Sequence, residues 1–480
     1  MKIAFFTNHG KTEFYQAVAS RMEKSDYEIY WISTSRTWTR WLIAEGVVPS
    51  RLLDLTSFGP EWAAKEKLSA AEETDLAELE KSGGLTINNI IMMDRLLSRK
   101  PYAYAQACLQ VTAREIRHFL QDNEIETLFS EATWAMEIIA IQVCSEIGCR
   151  HLAPNTIRIP GDRFGIYEGL TQSNLVEIKT PDDDDRDEAT RFYDFFLSKS
   201  PRPDYFQIDF QTPYIHLNWP RKLISNFKRH ANDPFDEMQP PPWHLIRTRW
   251  KEITNSRRLS RNKPFQTVKL PPVRPYVLNT LHVQPEASVD VMGAYTSCQP
   301  ELIRALARSI PATHDLYVKE HPVSVGTRPP EFYKAITSTP GVQLIDPFAD
   351  SHQLIRHADL VIALSGTIAY EAALYGKPAM TVVPMFFGPV LATNSFNPFR
   401  DSFGEIGVHL AKTNPDPKPE IALKKIIDFL TWIMAQSFKG TISDPFHDPD
   451  CMRPENLDRV ATALDIVLKC QQKTKSGQLA

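Results

Sequence analysis

The chain has 480 residues, enough for two domains that each bury a core, and its 54 basic and 58 acidic side chains give a formal net charge of −4. This balance favours neither nucleic acid nor a strongly anionic surface as a partner recognised through bulk charge. No apolar run is long enough for a signal peptide at the N-terminus or for a membrane span elsewhere. Six scattered cysteines lack C-x-x-C spacing, which predicts reduced thiols in a cytoplasmic protein and no structural zinc site.

The N-terminal part alternates short apolar runs with helical periodicity, which predicts a parallel sheet covered by helices. We expect a Rossmann-like domain over 1–180, on the acceptor side of a two-lobed enzyme. Asn8 and His9 follow the first strand, and Glu131 follows the strand at 127–130, so all three fall on the sheet edge where open α/β sheets bind ligands. For Glu131, a carboxylate that stabilises a helix N-terminus is an equally good interpretation.

Two arginines, Arg158 and Arg163, fall in an irregular segment at 155–164. They are candidates for binding an acidic substrate, and a solvated loop is the alternative. The acidic run at 182–185 predicts a solvated surface turn.

The composition changes over 181–272, where prolines are dense and basic residues cluster around Trp243 and Trp250. We predict a helical, partly irregular connector between two lobes. Its basic and aromatic residues indicate either a solvated face with interdomain packing or peripheral contact with the cytoplasmic face of an anionic membrane.

The α/β rhythm restarts at Arg274 and predicts a second Rossmann-like, nucleotide-binding domain over 273–450, followed by a C-terminal helix and polar tail over 451–480. The predicted fold is therefore α/β with two Rossmann-like lobes, a cleft between them and a helical connector.

The stretch at 359–378 organises the second domain. The apolar, branched run at 360–364 predicts a strand buried on both faces, and a helix is predicted at 368–374. The turn Ser365-Gly366-Thr367 lies between them, where backbone N–H groups and a helix dipole suit a phosphate. Glu371, one helical turn on, is a candidate for binding sugar hydroxyls. An ordinary βα turn is the alternative.

Three polar clusters follow strands of this second half, and the ends of neighbouring parallel strands line one edge of a sheet. In the predicted site the turn holds a phosphate, Lys319 and His321 offset its charge, His321 donates a proton if its pKa is near neutrality, and Glu286 acts as base or nucleophile. Asp290 is a second candidate carboxylate. The clusters are Gln284-Pro285-Glu286, Lys319-Glu320-His321-Pro322, and Ser365-Gly366-Thr367 with Glu371.

These segments, together with Gly376-Lys377-Pro378, resemble bacterial capsule polysaccharide biosynthesis proteins and, more broadly, GT-B glycosyltransferases with "QP" and "HP" motifs, such as the Kdo transferases. The resemblance covers about 275–385. It implies a transferase that moves a sugar from a nucleotide donor, first of all a CMP-activated acidic sugar such as Kdo, to a polysaccharide or glycolipid acceptor. It also implies that His321, Ser365 and Thr367 contact the nucleotide phosphate, while Glu286 and Asp290 remain alternative catalytic acids.

Other functions are compatible with the pattern. They are a non-hydrolysing nucleotide-sugar 2-epimerase, a polyol-phosphate transferase, and a catalytically silent subunit of a polysaccharide assembly complex. Asp-x-Asp spacing occurs in the acidic run at 182–187 and at 448–450 but forms no clear metal motif, so we expect no metal and no cofactor beyond the nucleotide-sugar substrate.

Overall fold

The computed structural model describes residues 1–25, 27–201, 219–262, 264–400, 402–411 and 419–477. The chain divides into two compact units, each described by itself. The first comprises Met1–Lys179, Lys222–Pro242 and Gln436–Ala480, and the second comprises Thr180–Arg221 and Trp243–Ala435. This division distributes the predicted connector at 181–272 over both units. Its part at 202–218 lies outside the described residues.

The strands of the described chain form two sheets. They are β1 Lys2–Phe6, β2 Glu28–Ser33, β3 Leu52–Asp54, β4 Thr127–Phe129, β5 Arg150–Thr156, β6 Arg163–Glu168, β7 Tyr276–Thr280, β8 Asp315–Lys319, β9 Val342–Ile345, β10 Leu360–Ala363, β11 Ala379–Thr381, β12 Thr393–Asn394 and β13 Phe438–Lys439.

Helices follow most of these strands. They are α1 Lys11–Met22, α2 Arg36–Ala44, α3 Gly59–Ala64, α4 Ala70–Gly83, α5 Ile87–Met93, α6 Tyr102–Asp122, α7 Ala135–Ile147, α8 Asp183–Lys199, α9 Trp219–Asn232, α10 Pro242–Asn262, α11 Ala287–Asp290, α12 Gln299–Ser309, α13 Pro330–Thr337, α14 Ser351–His357, α15 Thr367–Leu374, α16 Ser402–Ala411, α17 Pro419–Gln436 and α18 Pro454–Gly477. None of the helices in the described ranges is long and apolar enough to cross a membrane.

The sheet of the first unit has the order β13-β6-β5-β4-β1-β2-β3 and is parallel from β5 to β3. Its central strands β1, β2 and β4 are largely buried, as expected for strands covered on both faces. The C-terminal helix α18 packs on α1, so that Val460 and Leu464 share a core with Phe14 and Val18. This packing explains why the last helix belongs to the first unit.

The sheet of the second unit has the order β12-β11-β10-β7-β8-β9, and all its pairs are parallel. The four residues of β10 are buried, as expected for a strand with helices on both faces. The predicted α/β class with two Rossmann-like lobes is confirmed.

Each sheet has one point where the direction of strand addition reverses. In the first unit the chain adds β2 and β3 on one side of β1 and β4 on the other, so the reversal lies between β1 and β4. In the second unit it lies between β7 and β10. Loops diverge at such a switch point and leave a crevice at the carboxyl ends of the two strands, where open α/β sheets bind ligands.

Two local predictions differ from the structure. The acidic run is not a turn. Asp182 caps α8 by accepting a hydrogen bond from the backbone of Asp185, and Asp183–Asp185 form the first turn. Negative charge is favourable there because it faces the positive end of the helix dipole. The segment at 155–164 is not one solvated loop, since Thr156 still belongs to β5 and the buried Arg163 begins β6, which pairs antiparallel with β5.

Candidate functional sites

Three loops of the second unit meet at the switch point between β7 and β10. The loop after β8 reaches the loop after β7, because the Arg328 guanidinium donates a hydrogen bond to the backbone oxygen of His282. The turn after β10 reaches the same loop, because Ser365 Oγ donates to the backbone oxygen of Ser288 at 3.0 Å. The three polar clusters predicted from sequence therefore lie on loops that contact one another.

Gly366 lets the turn after β10 lie close to His282 in the loop after β7. A Cβ atom at this position would lie 2.9 Å from Cε1 of His282, closer than real Cβ contacts. The backbone at Gly366 has φ −77°, which any residue can adopt, so a larger residue here would be disfavoured by space, because the His282 ring would have to move. Gly366 is also the N-cap of α15 and provides no side chain to the first N–H groups of that helix.

Lys319 carries a cation beneath these loops. Its Nζ donates to the backbone oxygen of Pro347 at 2.7 Å, and only 3% of the residue is exposed. Burial lowers the pKa of Lys319 to about 8. Nearby carboxylates, of which Asp346 has the largest effect, act to raise it. An anionic ligand would favour the charged form of this lysine.

Glu371 is buried in α15. Burial raises the pKa of its carboxyl to about 8, and Lys319 acts in the opposite direction. Its Oε2 lies 3.9 Å from Nδ1 of His352, which is hydrogen-bonded to the Tyr375 hydroxyl at 3.0 Å. Glu371 therefore lies in a buried polar network, and near pH 7 it is largely protonated and able to donate a hydrogen bond.

His321 caps the short 3-10 turn at Pro322–Ser324. Its Nδ1 accepts a hydrogen bond from the backbone of Val323 at 3.3 Å, an arrangement that leaves the proton on Nε2. Burial, Lys319 and Arg328 lower the pKa of His321 to about 4. The imidazole is therefore neutral near pH 7, and without a ligand it lacks the near-neutral pKa on which the predicted proton donation depends.

Arg328 was missed by the sequence analysis, because nothing distinguishes it from other loop arginines. Its Nε lies 3.3 Å from Oε2 of Glu320, and both residues are buried. Glu320 Oε1 accepts from the backbone N–H of His321 at 2.7 Å. Burial raises the pKa of Glu320, while Arg328 acts to lower it. Glu320 thus positions the backbone of His321 and does not itself face outward.

The two candidate acids after β7 have different surroundings. Asp290 accepts hydrogen bonds from Gln284 Nε2 at 2.7 Å and from the backbone N–H of Glu286 at 3.1 Å. Gln284 thus bonds to Asp290 and not to its nearer neighbour in sequence, Glu286. The Glu286 carboxylate is half-buried and makes no hydrogen bond within the described residues. Asp290 therefore stabilises the loop after β7, whereas the role of Glu286 as base or nucleophile stays a prediction.

A second polar cluster lies at the switch point of the first unit, between β1 and β4. Asn8 Nδ2 donates to Glu137 Oε1 at 3.0 Å and to Glu131 Oε2 at 3.4 Å, and Lys11 pairs with Glu131. Burial raises the pKa of Glu137 to about 8. Asn8 and Glu131, predicted from different strands, are therefore brought together, whereas Lys11 and Glu137 were missed because each also fits an ordinary helix position.

His9 lies in the same region with φ +43°, a left-handed conformation unusual for a residue other than glycine. Its Nδ1 is 2.7 Å from Nε2 of Gln239. Its ring packs edge-to-face with the ring of Trp134, with 5.4 Å between the ring centroids. Burial, followed by Arg95 and Arg229, lowers the pKa of His9. Gln239 lies far away in sequence, so no local pattern predicts this contact.

Two helix N-termini of the first unit, those of α2 and α7, are occupied by the protein's own carboxylates. Asp233 Oδ2 accepts from the backbone of Arg36 at 2.6 Å at the start of α2. Asp94 Oδ2 accepts from the backbone of Ala135 at 2.8 Å at the start of α7. In the second unit, α15 has no capping side chain. Among these helix ends, α15 is the one that suits an external anion.

The two predicted substrate arginines have different positions. Arg158 is exposed and has φ +67°. Arg163 is buried, and its guanidinium donates to the Ser437 hydroxyl and backbone oxygen, each at 2.7 Å. These bonds connect β6 to the segment before β13 and favour a structural role for Arg163.

No group of three or more His, Cys, Asp or Glu side chains in the described ranges is placed to hold a metal ion. Metal independence remains a prediction.

No family model and no curated protein matches this chain. Among solved structures, it is similar to a glycosyltransferase from Rickettsia africae (10% identity, 91% of this chain and 95% of that one, TM-score 0.29). It is also similar to the UDP-GlcNAc 2-epimerase of Neisseria meningitidis bound to UDP-GlcNAc (12%, 98% and 99%, TM-score 0.23). A third is the KpsC beta Kdo 2,4 transferase of Thermosulfurimonas dismutans (14%, 72% and 87%, TM-score 0.32). Similarity at these TM-scores carries no functional inference.

Proposed function

We propose that this protein is a glycosyltransferase that takes a sugar from a nucleotide-activated donor and transfers it to a hydroxyl of a polysaccharide or glycolipid acceptor. The observation that carries the proposal is the convergence of the three polar loops after β7, β8 and β10 at one switch point. This place has an uncapped helix N-terminus and two buried cations, Lys319 and Arg328. Such a combination favours a ligand phosphate.

The donor phosphate binds, in this proposal, at the start of α15. The first N–H groups of the helix and the Thr367 hydroxyl donate to phosphate oxygens, and Lys319 supplies positive charge. His321 donates a hydrogen bond as a neutral imidazole. Its contribution is to stabilise charge that grows on the leaving phosphate as the bond to the sugar breaks.

We place the acceptor in the first unit, because the N-termini of α2 and α7 there already hold carboxylates that would repel an anion. An uncharged hydroxyl meets no such penalty. In the transfer, the acceptor oxygen forms a bond to the anomeric carbon, the bond from that carbon to the phosphate oxygen breaks, and a carboxylate takes the hydroxyl proton. Glu286 and Glu131 are the candidates for this base.

The sequence resemblance makes a CMP-activated acidic sugar such as Kdo the first donor to test. Lys319 and Arg328 are buried cations of β8 and the loop after it, and they are compatible with a donor that carries a carboxylate besides its phosphate, with Arg328 shared between this donor and Glu320. We propose that the reaction needs neither a metal nor a further cofactor, since the chain's own cations are available to stabilise the leaving group. Full activity with a chelator present is the expected result.

A thermal-shift screen of the full chain against CMP, CDP, UDP and GDP tests the donor site, because a ligand that binds only the folded state raises Tm. We expect one nucleotide to stabilise the wild type and not the His321→Ala variant. The matched control is His357→Ala, a histidine whose Nδ1 bonds within its own helix to the oxygen of Gln353. If no nucleotide stabilises the protein, a silent subunit of an assembly complex becomes the better hypothesis.

Measuring the products formed from the donor distinguishes sugar transfer from 2-epimerisation. A transferase releases free nucleotide only when acceptor is present, whereas an epimerase converts the donor without acceptor and keeps the nucleotide attached. Isomerisation of a nucleotide sugar in the absence of acceptor would contradict transfer.

A further inference from the structure

Helix α10, Pro242–Asn262, has one exposed face of unusual composition. This face carries two tryptophans, 61% and 60% exposed, and five exposed basic side chains, all within a sector of about 120° at 3.6 residues per turn. The same sector contains one other residue, Thr254, and no acidic residue. The tryptophans are Trp243 and Trp250, and the basic residues are Arg247, Lys251, Arg257, Arg258 and Arg261.

The opposite face of α10 packs into the second unit. Ile253 and Leu259 are buried, and the one acidic residue of the helix, Glu252, is on this side and pairs with Arg249 at 2.9 Å. The helix is therefore held by its apolar side and presents the tryptophan and arginine face outward. Its orientation does not depend on a partner.

We propose that this face of α10 docks on a lipid surface rich in anionic headgroups. Five cations without an acid form a local positive charge on a chain whose net charge is −4, which is complementary to a negative surface. Tryptophan favours the boundary between headgroups and acyl chains because its ring is apolar and its N–H is polar. A single convex helix face suits a flat surface better than it suits a nucleic acid strand, which such proteins bind in a groove.

The inner face of α10 also contacts the loop that carries the candidate donor site. Asn255 Nδ2 donates to the backbone oxygen of Thr327 at 3.0 Å, and a Cβ at Gly326 would lie 3.1 Å from Cβ of Ser256. Thr327 precedes Arg328 in the chain. Docking through α10 would thus hold the donor loop close to the lipid surface. The inference itself rests on α10 alone, so it stands or falls independently of the proposed function.

Vesicle flotation of the full-length protein tests this inference. Vesicles of phosphatidylcholine are compared with vesicles in which about one third of the lipid is phosphatidylglycerol. We expect at least about 10-fold more bound protein on the anionic vesicles, and we expect this excess to be lost near 0.5 M salt because exposed charges are screened.

Two variants locate the contact. The triple variant Arg247→Glu, Arg257→Glu, Arg261→Glu should bind anionic vesicles no better than neutral ones, and Trp243→Ala with Trp250→Ala should bind several-fold more weakly. The matched controls are Lys424→Glu with Lys425→Glu, which reverses exposed charges on α17, and Phe446→Ala, which removes an aromatic side chain that is 84% exposed. Both controls should bind like the wild type. Thermal unfolding checks that each variant is folded.

Several results would overturn the inference. Equal binding to neutral and anionic vesicles would remove the charge argument, and unchanged binding by the triple variant would assign the contact to another surface. If the folded wild type fails to float with either vesicle but binds a single-stranded oligonucleotide through the same arginines, the face binds nucleic acid instead. Loss of self-association in the tryptophan variant without any vesicle binding would assign the face to a second copy of the chain.

Discussion

The imidazole of His282 occupies the space that a side chain at position 366 would need. This contact joins the turn after β10 to the loop after β7, at the point where the strand order of the second sheet reverses. We expect Gly366→Ala to displace one of the two loops, because the new methyl group would lie 2.9 Å from Cε1 of His282. Nucleotide affinity should fall about 10-fold, while the free energy of unfolding changes by about 1–3 kcal/mol, the usual cost of overpacking.

Calorimetric titration with the stabilising nucleotide measures this effect. Gly161→Ala is the matched control, because a Cβ there meets no atom closer than 3.6 Å and should leave affinity and stability unchanged. Normal nucleotide affinity in the Gly366→Ala variant would show that the turn after β10 does not contact the ligand.

His321 is expected to act as a neutral hydrogen-bond donor. The amide of His321→Asn can still donate a hydrogen bond, whereas His321→Ala cannot. We therefore expect the alanine variant to lose about 10²–10³-fold in kcat and the asparagine variant to lose clearly less. Single-turnover transfer rates measure the difference. Equal losses in both variants, together with the loss of a pH dependence that the wild-type rate shows, would indicate that His321 transfers a proton after all.

We expect substitution of Glu286 to affect the reaction rate and substitution of Asp290 to affect stability. Asp290→Asn places an N–H₂ group against one of the two donors, Gln284 Nε2 or the backbone N–H of Glu286, so it should lower the free energy of unfolding by about 1–3 kcal/mol and weaken nucleotide binding. Glu286→Gln breaks no hydrogen bond of the described chain, so Tm should stay within a few degrees while the transfer rate falls. Denaturant unfolding and kcat, measured on the same preparations, test both statements.

If Asp290→Asn lowers the transfer rate without loss of stability and Glu286→Gln leaves the rate unchanged, Asp290 is the catalytic base. If Glu286→Gln and Asp290→Asn both retain the wild-type rate, Glu131 becomes the remaining candidate base, and Glu131→Gln should abolish transfer without changing nucleotide binding.

Glu371 should give stability a measurable pH dependence. Its pKa is raised by burial from 4.5 to about 8, so between these values the folded state holds a proton that the unfolded state has released. Its contribution to stability is therefore complete below pH 4.5, falls as the pH rises towards 8, and is constant above that. The amide of Glu371→Gln does not titrate in this pH range. We expect the free energy of unfolding of the variant, relative to the wild type, to rise by on the order of 2–4 kcal/mol between pH 5 and pH 8.

Urea unfolding at several pH values tests this prediction. The comparison is made as a difference between the variant and the wild type, because the pKa of His321, lowered to about 4, gives an opposite trend between about pH 4 and 6.5 that both proteins share. A difference that does not change with pH would mean that Glu371 is ionised in the folded protein.

The apolar runs and the turns between them were sufficient to predict the α/β class and most elements. The run at 360–364 is buried on both faces because its residues are all apolar, and α15 begins where glycine and threonine follow it. The same pattern placed the three polar clusters at strand ends, and in parallel strands those ends share one edge.

Tertiary structure decided which strands are neighbours, and with that which side chains meet. Strand order brings β10 beside β7, so Gly366 contacts His282, although 84 positions separate them in the printed sequence. Burial set the protonation of His321 and Glu371, and a long-range contact made Arg328 the partner of Glu320. Hydrogen-bond geometry distinguished Asp290 from Glu286. A local pattern records which residues are apolar and where a strand ends, but pKa values and ion pairs depend on distances between residues that only the folded chain brings together.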